Sequence, residues 1–167
     1  SCADLQRETY LKQIAALEEK LREMESNLPD SRLNDISSIK VKTMQTELRI
    51  KQNLKLDTID MGLAKKLDAY KLMRKSIKPM MQQFMKVREG IKEEKVVLKR
   101  LRQDIQDGRG ERQHYANYIR FERQKVKQLT QLNADYLRSK ATFFAEYARL
   151  YPSVEAFSQT LLKKQRN

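Results

Sequence analysis

The residue types that carry catalysis and metal binding are scarce in this sequence. The 167 residues include one cysteine, Cys2, and one histidine, His114. A single cysteine forms no internal disulfide, and a lone histidine without a second histidine or cysteine beside it does not close a tetrahedral zinc site. A nucleophilic triad needs a base and an orienting acid near the nucleophile. We therefore interpret Cys2 as a thiol at a frayed end and His114 as a structural residue near a hairpin end.

Adjacent carboxylates are the next candidates for chemistry. Glu18 is followed by Glu19, and Glu93 by Glu94. On a helix, neighbouring residues point to different faces, so these pairs cannot share a proton or flank a bond. We interpret them as solvated surface residues. The sequence therefore predicts no enzyme activity, no catalytic or metal residues, no cofactor and no small-molecule substrate.

A pair of glycines gives two alternative interpretations. The segment 107–110 reads Asp-Gly-Arg-Gly, with Gly108 and Gly110 flanking one residue. A phosphate-binding loop would need a preceding strand and a Lys-Ser or Lys-Thr ending, and both are missing. A glycine just after the last residue of an apolar row is the usual left-handed end of a helix. We therefore predict a hairpin turn at Gly108 and Gly110.

Composition excludes most fold classes. The chain has 4 glycines and 3 prolines, and 34% of its residues are charged. A sheet-rich domain of this length needs many tight turns, so the sequence predicts an all-α fold. There is no run of about 18 apolar residues and no basic, apolar leader. We therefore expect no membrane-spanning helix and no secretory signal, and we expect an intracellular location that is cytoplasmic, cytoskeletal or nuclear.

The strongest pattern is an apolar residue at every seventh position. A second row, three residues later, is apolar at five of seven positions and is interrupted by Lys66 and Glu94. Two such rows are typical of a coiled-coil seam, in which polar interruptions weaken packing but fix register. An earlier row, Val41, Met44 and Leu48, is offset by one residue, which predicts a local change in winding or of partner. The seam residues of the first row are Leu56, Leu63, Tyr70, Ile77, Phe84, Ile91, Leu98 and Ile105.

Prolines and glycines divide this pattern into helices. Pro29 and Pro152 interrupt apolar rows, while Pro79 lies inside a continuous one. The predicted segments are an N-terminal amphipathic helix over 1–29, a long central heptad helix over 30–106 with a kink at Pro79, a turn over 107–110, a returning helix over 111–151 and a short C-terminal helix over 152–167.

Helix lengths suggest how these segments pair. At 1.5 Å per residue the central helix is about 105 Å long and the returning helix about 60 Å. Folded back from the glycines, the returning helix covers the central one to about residue 67. The N-terminal helix, reversing at Pro29, would cover the rest and bring its acidic residues beside Lys40 and Lys42. The sequence thus predicts an elongated antiparallel coiled-coil rod, a helical hairpin with one long central helix and a shorter helix over each half.

Charge and unused apolar residues suggest the kind of function. The net charge is +13, distributed as −3 over residues 1–35, +10 over 36–106 and +6 over the rest. Unused apolar positions favour a further partner helix, either from a homodimer or from another coiled-coil subunit. The main hypothesis is a non-catalytic interaction or scaffold module. The alternative is a basic helical dimer that binds anionic membrane or nucleic acid. The candidate cationic surface is Lys65, Lys66, Lys71, Arg74, Lys75 and Lys78, and the unused apolar positions are Met81, Met85, Val96, Val97, Phe121 and Phe144.

Three phrases in the second half of the chain carry a family resemblance. They are His-Tyr-Ala-Asn-Tyr-Ile at 114–119, Leu-Arg-Ser-Lys-Ala-Thr-Phe at 137–143 and Leu-Leu-Lys-Lys-Gln at 161–165, after a long heptad helix and a glycine break. Together they resemble the coiled-coil region of the intraflagellar transport subunit 81 family. The resemblance implies a scaffold that pairs with a sister coiled-coil subunit in a ciliary transport particle.

Overall fold

The protein is built from α-helices. A computed structural model describes residues 2–55 and 59–166, and it contains no β-strand within those ranges. The predicted all-α class is therefore confirmed. Short 3₁₀ turns, Ser31–Asp35 and Arg112–His114, precede the second and fifth helices. The helices are α1 (Cys2–Asn27), α2 (Ile36–Asn53), α3 (Met61–Lys75), α4 (Ile77–Asp107) and α5 (Tyr115–Arg166).

The helices form two compact units. Unit 1 comprises Ser1–Pro29 and Gln83–Asp135, so it contains α1, most of α4 and the first part of α5. Unit 2 comprises Asp30–Gln82 and Tyr136–Asn167, so it contains α2, α3, the start of α4 and the rest of α5. Unit 1 thus draws on three helical segments and unit 2 on four, and each unit combines two stretches that are distant in sequence.

The predicted single central helix over 30–106 is wrong, because the chain leaves the helical conformation after Asn53. Leu54 is extended, with φ −82° and ψ 131°. The next helix begins after Asp60, whose carboxylate accepts a hydrogen bond from the backbone N–H of Leu63 at 2.7 Å. An aspartate cap satisfies a first-turn donor that would otherwise be unpaired, so it favours a new helix start. Leu56, the first predicted seam residue, lies outside the described residues.

A second break lies at Ser76, three residues before the kink predicted at Pro79. A proline has no N–H, and its ring collides with the carbonyl four residues earlier, here that of Lys75. Since α3 ends at Lys75 and α4 begins at Ile77, Pro79 lies in a first turn, where a missing donor costs little. The Ser76 hydroxyl donates to the carbonyl of Met73 at 2.6 Å and so caps the end of α3.

The predicted helix end at residue 151 is also wrong. Helix α5 continues through Pro152 to Arg166, so there is no separate C-terminal helix over 152–167. Val154 and Leu161, beyond the proline, are buried. Burying two aliphatic side chains contributes about 3–6 kcal/mol, which offsets the roughly 3 kcal/mol cost of an interior proline.

In unit 1, α1 lies antiparallel to the C-terminal half of α4. Glu25 pairs with Lys95 at 3.1 Å, and Glu18 lies 3.5 Å from Arg102. The N-terminal helix was expected over the first half of the central segment, beside Lys40, and that placement is wrong. Exposed ion pairs contribute only about 0–1 kcal/mol each, so the burial of the apolar face of α1 decides its partner. That face is Ile14, Leu17, Leu21 and Met24.

The chain reverses between α4 and α5. Gly108 and Gly110 have φ of +67° and +76°, the left-handed region that favours glycine. The backbone N–H of Arg109 donates to the carbonyl of Asp104 at 2.8 Å, which closes the end of α4. Helix α5 then returns antiparallel to α4, and Leu129 approaches Gly90 so closely that a Cβ there would lie 2.3 Å from its Cδ2.

Unit 2 pairs the same helix α5 with α2 and α3. Asp30 contacts Lys140 at 3.0 Å, and Arg49 contacts Glu155 at 2.8 Å, so α2 runs parallel to α5. Helix α3 lies antiparallel beside α2, and Arg74 of α3 pairs with Glu47 of α2 at 2.7 Å. Charged contacts therefore link α2 to both α3 and α5.

Candidate interaction surface

The predicted seam residues are mostly interior. In unit 1, Phe84 is half-buried, whereas Ile91, Leu98 and Ile105 are almost completely buried. In unit 2, Leu63 is half-buried, and Tyr70 and Ile77 are buried. These side chains pack the units and are not available to a partner. An interaction surface has to be sought elsewhere.

Glu94, which interrupts the second apolar row, was expected at the solvated surface, and that expectation is wrong because the residue is buried. In unit 1, Glu94 of α4 faces Glu122 of α5, and the two residues are only 4% and 6% exposed. Burial, followed by the hydrogen bond and the negative charge of Glu122, raises the pKa of Glu94 to about 8. Lys125 lies 3.9 Å from Glu122 and offsets part of the charge. The carboxylate pair therefore holds a proton at neutral pH.

In unit 2 a half-buried carboxylate, that of Asp30, faces cations. Asp30 accepts hydrogen bonds from the guanidinium and the backbone N–H of Arg32, and it pairs with Lys140, a buried lysine of α5. These contacts, led by the Arg32 side chain, hold the pKa of Asp30 well below its usual range. The Arg32 guanidinium also lies 4.6 Å from the ring centre of Phe144. The entrance to α2 is thereby anchored on α5.

Helix α2 carries apolar residues on two sides, and its buried side also holds two threonines. Thr43 and Thr46 are completely buried, with Ile39 and Ile50 on the same side. The offset apolar row points outward, with exposures of 52% for Val41, 48% for Met44 and 53% for Leu48. The one-residue offset of this row from the later seam therefore indicates that the row lies on the exposed side of its helix, whereas the seam lies on the buried side.

A polar network explains why threonines occupy the inner face of α2. The Thr46 hydroxyl donates to the carboxylate of Glu155, and Arg49 donates to both Glu155 and Ser158, at 2.8 and 2.9 Å. Burial raises the pKa of Glu155, but the hydrogen bonds from Thr46, Gln159 and Arg49 outweigh it, so its pKa lies below the usual value. Polar partners on α5 thus hold α2 with its apolar row facing out.

The outward row lines an open groove between α2 and α3. The groove has a volume of about 820 Å³. Val41, Met44 and Leu48 form its α2 wall, and Leu67 belongs to the α3 wall. Tyr70, which is buried, lies at its base. The groove combines an apolar lining with access from solvent, which is typical of a helix-binding surface.

The candidate cationic surface lies on α3 and the start of α4, beside this groove. Arg74 differs from the other members because it is half-buried and ion-paired with Glu47. Lys71 and Arg74 also line the groove. The exposed members are Lys65, Lys66, Lys71, Lys75 and Lys78.

The other positions singled out in the sequence lie at scattered places. His114 sits before α5 with its Nε2 2.6 Å from the carboxylate of Glu111, and Cys2 is exposed. Among the unused apolar positions, Met85, Val96 and Phe121 are exposed, whereas Met81, Val97 and Phe144 are half-buried.

Two absences hold for the described part of the chain. Over residues 2–55 and 59–166, no three His, Cys, Asp or Glu side chains are grouped so that they could hold a metal ion. Over the same ranges, no helix combines the length and apolar character needed to span a bilayer.

Sequence reasoning missed the groove, although one signal pointed to it. The row Val41, Met44 and Leu48 is out of frame with the later seam, whereas Thr43 and Thr46 occupy the buried side. The offset row was therefore the sign of an unused face. Comparisons with protein-family models, with curated proteins and with solved structures find no match for this chain.

Proposed function

We propose that this chain is a non-catalytic helical interaction module that assembles with partner helices in a scaffold. The observation that carries the proposal is the exposed row Val41, Met44 and Leu48 along one groove. Single exposed apolar residues are ordinary on protein surfaces, but a row at i, i+3 and i+7 is the pattern of a helix that packs against a partner. Both units bury their seams without this row, so it is surplus to their own packing.

The kind of cellular assembly in which the module works is part of the same proposal. The assembly that we propose is a cytoskeletal, ciliary-transport or tethering complex inside the cell, and the partner is a second copy or another coiled-coil chain. The resemblance to the intraflagellar transport subunit 81 family supports the ciliary setting. The elongated rod stays a prediction, and small-angle X-ray scattering measures it. An ordinary compact particle of 167 residues would have a radius of gyration of about 15 Å, which would contradict it.

Site-specific photo-cross-linking tests the proposal. A benzophenone amino acid replaces Met44 in the groove or, as a matched control, Gln128, an exposed residue of α5 in unit 1. We expect irradiation in the cells that make the protein to give discrete higher-mass adducts from position 44 only. Equal adducts from both positions, or none from position 44, would contradict an interaction function of the groove.

A second candidate function rests on the lysines of the cationic surface. Lys65, Lys66, Lys71, Lys75 and Lys78 are exposed, and none pairs with a carboxylate within the described residues. Such a surface attracts anionic membrane or nucleic acid.

Salt-dependent binding tests the second candidate. Binding of the chain to anionic vesicles or to duplex DNA should weaken steeply as salt rises, and Lys65→Glu with Lys66→Glu should weaken it at low salt. Lys86→Glu, an exposed lysine of unit 1, is the control. Equal loss from all three substitutions would indicate only non-specific attraction by the net charge.

A further inference from the structure

The groove between α2 and α3 has the dimensions of a helix-binding site. Its α2 wall runs from Val41 to Lys51, which is about 15 Å at 1.5 Å per residue, or nearly three turns. Its α3 wall runs from Leu67 to Arg74, about two turns. Two neighbouring antiparallel helices leave a trough into which the apolar face of a third helix fits.

The charges around the groove indicate which sign of charge a binding partner should carry. Lys51 and Lys71 are exposed on its two walls. Glu47, a carboxylate of the same walls, is paired with Arg74, which leaves Asp68 as the exposed acidic residue of the lining. Residues 36–82 hold 11 lysines and arginines against 4 acidic residues. A partner helix with acidic residues flanking its apolar face is therefore complementary to this site, and a basic one is repelled.

A second copy of the chain does not meet this requirement. Its net charge is +13, so the copies repel one another. The N-terminal helix α1 is its acidic amphipathic segment, but Ile14, Leu17 and Leu21 of that helix are buried within unit 1. Placing α1 in the groove of another molecule would require the core of unit 1 to open.

We propose, on the basis of the interaction function above, that the α2–α3 groove binds an acidic amphipathic helix of a different protein. The apolar face of that helix covers Val41, Met44 and Leu48, and its flanking carboxylates lie beside Lys51 and Lys71. Nucleic acid and anionic lipid headgroups have the right charge, but they do not use the apolar row. Binding that depends on the row distinguishes the helix from both.

Selection from a displayed peptide library tests this proposal. The library consists of ~20-residue helices, about six turns, with leucine at i, i+3 and i+7 and a random choice of Glu, Lys or Gln at the flanking positions. The full chain is the target, in parallel with Met44→Glu and with Val96→Glu, a matched change at an exposed apolar residue of unit 1. We expect enrichment of Glu-flanked helices by the wild-type chain and by Val96→Glu but not by Met44→Glu.

Affinities of a synthetic enriched peptide then sharpen the result. Met44→Glu should weaken binding by about tenfold or more, because a buried charge would replace an apolar contact. Lys51→Glu with Lys71→Glu should reverse the preference, so that a Lys-flanked version binds better. Circular dichroism and urea unfolding of each variant establish that it is folded.

Three outcomes would overturn the inference. They are no enrichment at all, enrichment of neutral or basic flanks, and equal enrichment by Met44→Glu. If the cross-linker at position 44 still gives discrete adducts, only the acidic-helix partner is wrong and the interaction module stands. If position 44 gives no adducts either, both proposals fail.

Discussion

Helices α1 and α2 open the two units, and both bury apolar residues, but only α2 also leaves an apolar row exposed along one groove. In α1, Ile14, Leu17 and Leu21 all face the interior of unit 1. In α2, the row Val41, Met44 and Leu48 faces solvent, while the buried side carries isoleucines and Thr46, which contacts Glu155 of α5. The difference teaches that the apolar row of an amphipathic helix does not by itself identify the inward face. Polar partners on the neighbouring helix can fix the opposite orientation.

The two units also differ in the charged neighbours that surround a carboxylate. Unit 1 places Glu94 against Glu122, so the pair holds a proton at neutral pH. Unit 2 places Asp30 against Lys140 and Arg32, so that carboxylate stays ionised to low pH. The two arrangements therefore respond to pH in opposite directions. Stability measurements can therefore separate the units.

The largest expected effect on stability comes from comparing a truncation in the buried row of α1 with one in the exposed row of α2. Leu21→Ala should lower the free energy of unfolding by about 2–5 kcal/mol, because it leaves a cavity in the core of unit 1. Leu48→Ala, the matched truncation on the exposed row, should change it by no more than about 0.5 kcal/mol. Urea unfolding measures both. A similar loss for Leu48→Ala would mean that the α2 row is part of a core.

The next effect concerns the carboxylate pair of unit 1. The folded chain holds the proton of Glu94 at pH values where the unfolded chain has lost it. The free energy of unfolding should therefore fall as the pH rises from about 4.5 toward about 8, by up to about 1.4 kcal/mol per pH unit. Glu94→Gln, which keeps the shape and stays neutral, should remove most of this slope. Unfolding at several pH values measures it, and an unchanged slope in the variant would show that another group is responsible.

Asp30 should give the opposite pH response in unit 2. Its pKa is depressed in the folded chain, so its ionised contacts stabilise the fold above the unfolded pKa and are lost as the pH falls. Asp30→Asn should cost about 1–3 kcal/mol at pH 7, and the difference from wild type should shrink once the pH falls below about 4. Glu146→Gln, at a more exposed carboxylate whose ion pair lies within α5, is the control. A constant difference at all pH values would indicate a steric effect.

The smallest effects compare one glycine from each unit. Gly108 has φ +67°, so Gly108→Ala should destabilise the chain by about 1 kcal/mol. Gly62 lies in helix α3, and the nearest atom to an added Cβ is 3.4 Å away. Gly62→Ala should therefore stabilise it by about 0.4–1 kcal/mol. Thermal unfolding measures both, and effects of equal sign would contradict this assignment.

The sequence by itself determined the helical class, because few turn-forming residues and a sustained heptad spacing leave no other regular structure. It also indicated an irregularity near Pro79, which excludes an ordinary helical bond to Lys75, but it did not indicate the break after Asn53. It did not fix the continuation of α5 through Pro152, because the burial that offsets the proline lies in tertiary packing. Local sequence rules identify a proline as a helix-breaking residue. Whether the helix ends there depends on how much apolar surface the flanking residues bury.

Only the tertiary structure decided which helices pair and which face of each helix is buried. Nothing local in the sequence assigns α1 to the C-terminal half of α4, and nothing local tells that Glu94 meets Glu122 or that Lys140 meets Asp30. These are contacts between residues far apart in the chain, and each helix has more than one side that could be turned inward. The groove of α2 is exposed because Thr46 and Arg49 find Glu155 on α5. A polar contact more than 100 residues away thus orients the surface on which the proposed function depends.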